Sequence, residues 1–210
     1  VLEDAVDLDL FQKSTSDKIS NRIKLNIPQK KNIIMYCGSL KPGKGTPIIL
    51  NTAKKLEHHK NISFYIVGGS KREIDYWKGY NGKTYKNVIF VGFVRGKKIP
   101  NYLKSADILF MPYAKNIKNS IMDIDTTSPI KLFEYMASGT PILASNIKTI
   151  GKILKNNKNA ILTDKNYEKK ILEILSKPLF SKKISKKAFE DVKKYTYKTR
   201  CQTILNEFCR

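Results

Sequence analysis

Long apolar runs are missing from this 210-residue sequence; none approaches the length of a membrane span, so a globular chain is expected. Histidine is nearly absent: His58 and His59 are the only two, and adjacent residues on a helix end cannot face one metal. No Cys/His/Asp cluster has ligand spacing, so no metal site and no resident cofactor is expected. Three cysteines, Cys37, Cys201 and Cys209, show no paired spacing, and Cys37 sits in an apolar run. With no signal peptide visible, a reducing, cytoplasmic compartment is the expectation. There is no Gly-x-Ser-x-Gly, no Ser/His/Asp set that can be argued, and no Walker motif.

Acidic residues are also scarce. Forty Lys and Arg stand against eighteen Asp and Glu, for a net charge of +22. Such an excess attracts anions: a nucleotide diphosphate, lipid headgroups or nucleic acid. The lysines are spread over every segment, however, and Asn and Ile are abundant throughout, so compositional background explains much of the charge equally well.

What the chain does have is a regular alternation. Short apolar runs at Ile33–Cys37, Ile62–Val67, Val88–Val91, Asp107–Met111, Pro141–Ala144 and Ala160–Leu162 read as buried strands. Helical spacing lies between them, over Thr46–His58, Lys71–Tyr80, Ile99–Ser105 and Pro129–Ser138, and Tyr167–Phe208 reads as helices. Alternation with short connections predicts an α/β fold: a Rossmann-like parallel sheet flanked by helices. Residues 1–28 read as a connector and lead-in, 29–195 as the domain, and 196–210 as a C-terminal helix. In such sheets ligands bind beyond the carboxyl ends of the strands, which directs attention to the loops there.

Three of those loops carry chemistry. Gly38-Ser39-Leu40-Lys41-Pro42-Gly43-Lys44-Gly45 follows the first strand; its glycines let backbone approach an anion, and Lys44 adds a point charge. An ordinary turn with surface lysines would look the same. Next, Ser128 is a good N-cap and Pro129 a good first residue for a helix. Its first-turn amides, at Ile130, Lys131 and Leu132, are then free for a phosphate. Lys131 there opposes the helix dipole, which is understandable if an anion offsets it; pointing into solvent is the plain alternative. Glu134 lies one turn further on, where its two oxygens suit the paired hydroxyls of a ribose. Spacing alone favours an exposed i, i+3 pair with Lys131. Finally, Gly92-Phe93-Val94 ends the third strand, where bare backbone could read a base edge, although a phenylalanine is more often core.

Taken in order, these stretches resemble the group 1 (family 4) glycosyltransferases of the two-domain GT-B fold, over nearly the whole chain. Ser128 to Pro141, SPIKLFEYMASGTP, is the most specific part. Ala5 to Phe11 looks like the interdomain connector, Tyr36 to Gly45 like the first phosphate loop, and Gly68-Gly69 like the next glycine turn. Tyr102 to Pro112 and Ala188 to Tyr195 also match. The resemblance implies the C-terminal, donor-binding half of a glycosyltransferase. Its donor contacts would be Gly38, Ser39, Lys44, Gly68, Gly92, Phe93, Val94, Ser128, Ile130, Lys131, Leu132 and Glu134. The donor would be a nucleoside-diphosphate sugar of the UDP or GDP type, with metal-independent, retaining transfer. The catalytic histidine and the acceptor site would lie in an N-terminal domain outside this chain, leaving the 210 residues alone with little or no turnover.

Two departures stand out. Thr126 replaces the first acid of the family's Glu-x7-Glu pattern, with Asp123 and Asp125 just upstream, and Ser39 replaces a phosphate-contacting arginine. Two other readings compete: a basic nucleic-acid-binding module, which the scattered lysines disfavour so that no nucleic-acid partner is expected, and a sugar-nucleotide epimerase of the same fold. Docking of the intact enzyme on an anionic membrane, where polysaccharide or glycolipid is made, is compatible with the main reading.

Overall fold

A computed structural model describes residues 3–13, 17–113 and 130–208. The strands are β1 Asn32–Cys37, β2 Ile62–Val67, β3 Val88–Gly92, β4 Ile108–Met111, β5 Ile142–Ser145 and β6 Ile161–Thr163. The helices are α1 Leu8–Lys13, α2 Lys18–Lys24, α3 Thr46–Lys55, α4 Lys71–Lys78 and α5 Ile99–Ser105, then α6 Ile130–Ser138, α7 Lys148–Ile153, α8 Tyr167–Ser176, α9 Pro178–Val192 and α10 Tyr197–Phe208.

All six strands pair in parallel, in the order β3-β2-β1-β4-β5-β6. The chain winds outward from β1 through β2 to β3, then returns to the middle and winds the other way. Period-2 alternation sends successive side chains to opposite faces. Ile33, Met35, Leu109 and Met111 pack under α5, α6 and α9 on one face. Ile34, Tyr36, Ile108 and Phe110 pack under α3, α4 and α8 on the other. Because both faces are covered, the strands read as continuous apolar runs rather than alternating ones.

The expected strands are all present, each within a residue or two. Three short helices were not anticipated: α1, α2 and α7. α2 packs on α5, and Arg22 explains why a polar segment does so. Its guanidinium is buried, meets Asp107 at 2.6 Å, and donates to the carbonyls of Ser105, Gln29 and Lys31. Asp107 also accepts the Ile33 N–H at 2.7 Å, so this charged cluster fixes the amino ends of β1 and β4. The chain's opening segment lies beside its last helix: Val6 bridges Thr196, and Asp4 pairs with Arg200 at 2.7 Å. Among the described residues no helix is long and apolar enough to cross a membrane.

At the middle of the sheet the two windings part. Pairing of β1 with β4 stops at Met35↔Leu109, whereas β1 pairs with β2 as far as Cys37↔Val67. The Cys37 peptide is thus left without a β4 partner. Tyr135 on α6 supplies one: its phenol oxygen accepts the Cys37 N–H at 2.7 Å and donates to the Cys37 carbonyl at 3.3 Å. A buried peptide left unpaired costs about 1–3 kcal/mol. Tyr135→Phe is therefore expected to lower unfolding free energy by that amount in a denaturant titration, with an unchanged far-UV spectrum.

Candidate donor site at the strand ends

The site lies where β1 and β4 part, at the carboxyl edge of the sheet, which is where open α/β sheets bind ligands. Backbone comes close there. Gly38 N–H donates to Val67, and Gly68 N–H to Gly92, drawing the turns after β1, β2 and β3 side by side. A Cβ on Gly68, at φ +115°, would sit 2.2 Å from the Gly38 carbonyl oxygen, so only glycine fits. These turns wall a cavity of about 370 Å³ lined by Gly38, Ser39, Gly68, Phe93 and Val94 among others. Five residues singled out from three separate stretches of sequence thus share one space. Phe93, of a type more often found in cores, is 82% exposed at its rim. Gly92 has φ +86° and offers its carbonyl to Gly68.

α4 stands behind this cavity. Ser70 and Glu73 form a capping box: Ser70 Oγ accepts the Glu73 N–H, and the Glu73 carboxylate accepts the Ser70 N–H at 2.7 Å. Trp77 on the same helix donates its indole N–H to the Leu40 carbonyl, pinning the first loop from outside. Ser70→Ala is expected to lower stability by about 1 kcal/mol, read from the shift in denaturation midpoint.

The charged part of the site comes from α6. Lys131 does not point into solvent. It reaches back to β1, where its Nζ donates to the Tyr36 hydroxyl at 2.8 Å and lies 4.3 Å from the Tyr36 ring centroid. The Tyr113 ring is 5.6 Å away, and Lys44 approaches that same ring at 5.8 Å. A Cβ on Gly38 would fall 2.8 Å from the Lys131 Nζ, so a side chain here would push the ammonium from its present place. Burial, then repulsion from Lys44, brings the Lys131 pKa down to about 7, against weaker opposing pulls from Cys37 and Glu134. Lys44 is lowered too, by burial and then by Lys41.

Glu134 is half-buried on the same helix, and burial raises its pKa in spite of Lys131. The two do not form the exposed i, i+3 pair that their spacing favours. Lys131 spends its ammonium on Tyr36, and no ion pair joins it to Glu134. Both are therefore held away from their ordinary ionisation without neutralising each other directly. Glu134 also lies near enough to Cys37 to contribute, after burial, to pushing that thiol up to about 12. Cys37 is thus a buried wall of the site and no nucleophile.

Of the remaining expected residues, Ile130 is exposed at the helix start, while the Leu132 side chain is wholly in the core, leaving only its amide for a ligand. Ser128 and the positions 123, 125 and 126 lie outside the described residues. Three tyrosines central to the site were not singled out from sequence: Tyr36, Tyr113 and Tyr135. Tyr36 and Tyr135 lie in apolar runs and read as core, whereas Tyr113 reads as the start of a polar loop. The signal that could have found them is polar: a phenol at a strand end must find a partner when buried. Among the described residues, no group of three or more His, Cys, Asp or Glu is placed to hold a metal.

A 3-2-1-4-5-6 parallel sheet with glycine turns and cations at its central crevice defines a Rossmann-like α/β domain. The family model described as glycosyl transferases group 1 matches residues 17–191, and the chain belongs to that family. An uncharacterized glycosyltransferase of Methanocaldococcus jannaschii is 26% identical over 150 residues, which cover 70% of this chain and 36% of that protein. Among solved structures, HepE from Anabaena in complex with UDP superposes with a TM-score of 0.80 at 19% identity, over all of this chain and 57% of that one. The C-terminal domain of a group 1 family glycosyl transferase (LpcC) from Francisella tularensis gives a TM-score of 0.70 at 20% identity, covering 91% of this chain and 99% of that one. The chain thus spans about a third of that curated relative and matches a separate C-terminal domain almost end to end.

Proposed function

We propose that this chain is the donor-binding half of a glycosyltransferase and holds a nucleoside-diphosphate sugar at the carboxyl ends of β1 to β4. The observation that carries this reading is the pair Lys131 and Glu134: a half-buried cation and a half-buried acid, about one helical turn apart and not paired with each other, in the first turns of α6. A lysine at a helix start is opposed by the dipole, and a diphosphate offsets it. In this reading Lys44, Lys131 and the first amides of α6 take the diphosphate. Glu134 accepts both ribose hydroxyls. The base enters the cavity beside Gly92, Phe93 and Val94. HepE, which has the same fold, was solved with UDP, which supports a uridine-type donor among those to try.

The reaction breaks the bond between the sugar and the diphosphate, so negative charge builds on the leaving group. Cations and amides already aimed at that group stabilise the transition state without rearranging. Here the chain itself supplies that charge, through two ammonium groups, and the reading needs no divalent ion for it. Transfer proceeds with retention, to an acceptor held by an N-terminal domain of the same two-domain fold. Alone, the 210 residues bind donor and turn it over poorly or not at all.

Titration calorimetry with UDP-glucose and GDP-mannose tests this. Saturable one-to-one binding of at least one is expected; heat indistinguishable from dilution for both would remove the reading. The charge of +22 further supports docking of the intact enzyme on an anionic bilayer. Co-sedimentation is then expected with phosphatidylglycerol vesicles and not with phosphatidylcholine ones.

A further inference from the structure

Lys131 has an unusual setting for a cation. Among the described residues, the ionisable and aromatic groups that face it are Tyr36 and Cys37 on β1, Lys44 in the loop after β1, Tyr113 after β4, and Glu134 on its own helix. None is a carboxylate in direct contact with it. The only oxygen that it meets among the described residues is the Tyr36 phenol, at 2.8 Å. That phenol has a second contact: its O–H donates to the Ser39 carbonyl, also at 2.8 Å. With its hydrogen committed to Ser39, the oxygen presents a lone pair to the lysine. One tyrosine thereby sets both the first loop and the lysine. Across from it the Tyr113 hydroxyl is buried, with no hydrogen-bond partner among the described residues, and burial raises its pKa to about 12.

We propose that Tyr36 is a positioning residue for the donor: it holds the Lys131 ammonium across the turn after β1, where a diphosphate meets it, and so couples diphosphate binding to protonation of Lys131. The inference rests on the donor reading above and adds a regulation to it. Without a ligand Lys131 is half-buried and crowded by Lys44, consistent with its lowered pKa. An arriving diphosphate reverses the electrostatic balance and favours the charged form. Binding then draws a proton from solution. From a free-state value of about 7, uptake is about three-quarters of a proton per ligand at pH 7.5 and about a tenth at pH 6.

Tyr36→Phe keeps the ring and its packing but removes the oxygen. Lys131 then swings to solvent and regains its ordinary ionisation, so it is already charged before the ligand arrives. Calorimetry of the full chain with UDP-glucose or GDP-mannose, in buffers of different ionisation enthalpy, reads proton uptake as a slope. Neither ligand titrates near neutrality, so the proton belongs to the protein. Wild type is expected to show the uptake given above. Lys131→Met should show none. Tyr36→Phe should bind about tenfold more weakly, with uptake near zero. Thermal melts establish that both variants are folded. Donor binding by wild type without uptake overturns this inference and leaves the donor reading standing. Uptake by Tyr36→Phe equal to or above wild type overturns the positioning role. Binding of neither ligand removes the donor reading and this inference with it.

Discussion

Lys131→Met is expected to weaken donor binding by about 2–3 kcal/mol, roughly 30- to 150-fold, the lower end of the range for truncating one partner of a buried charge pair. The same change should make the ligand-free protein more stable. The sign follows from linkage. In the unfolded chain the lysine has its ordinary pKa of 10.5, whereas in the fold it falls to about 7. Between those values the unfolded state binds more protons, so stability rises with pH, by up to about 1.4 kcal/mol per unit. At neutral pH the empty fold therefore carries a penalty that methionine removes. Allowing for solvent screening of a half-buried side chain, the gain is about 1–3 kcal/mol. A thermal melt at pH 7 should show the variant unfolding later than wild type without ligand. Across pH 7 to 9 its stability should vary less than that of wild type. A variant that loses both binding and stability would mean that Lys131 serves the fold.

Glu134→Ala is expected to lower affinity for UDP-glucose or GDP-mannose by about 10- to 100-fold, the size of one net hydrogen bond to a charged acceptor, about 1.5–3 kcal/mol. Here too stability should move the other way. Burial raises the Glu134 pKa above its ordinary value, so the folded state holds the proton longer. For a carboxyl shifted in that direction, stability is full below the unfolded pKa and is lost as pH rises through the folded one. At neutral pH the ionised acid is a burden on the empty site, and Glu134→Gln should relieve it. The lysine and the acid thus form a site that is costly when empty and satisfied when filled, the usual trade between stability and function.

Most of the sheet was legible because apolar strand runs, glycine stops and short connections all point the same way. Ile33–Cys37 and Ile62–Val67 read correctly since both faces of the sheet are covered. Helices α2 and α7 were not legible, for a physical reason. α2 is held by the Arg22–Asp107 cluster rather than by an apolar stripe, and its partner is eighty-five residues away. No local pattern announces such a contact. Within the site, backbone-driven features were visible, because Gly38, Gly68 and Gly92 mark close approach by their own chemistry. The side-chain arrangement was not. Spacing placed Lys131 and Glu134 on one helix face and suggested a mutual pair, yet the Tyr36 phenol, reached only through the parting of β1 and β4, draws the lysine away. Tertiary competition for one ammonium decided the matter, and sequence distance carries no trace of it. Phe93 shows the opposite case: its residue type suggests core, while its place after the Gly92 turn exposes it.

The central claim is that Glu134 and the α6 amides grip the ribose and diphosphate of one nucleotide. Calorimetry can test it by comparing UDP and GDP with their 2′,3′-dideoxy forms, on wild type and Glu134→Ala. Wild type should lose about 10- to 100-fold in affinity when the hydroxyls are removed, and Glu134→Ala should show no further loss from the same removal. An equal dideoxy penalty in both proteins would contradict the account, because the hydroxyls would then be held by something other than Glu134.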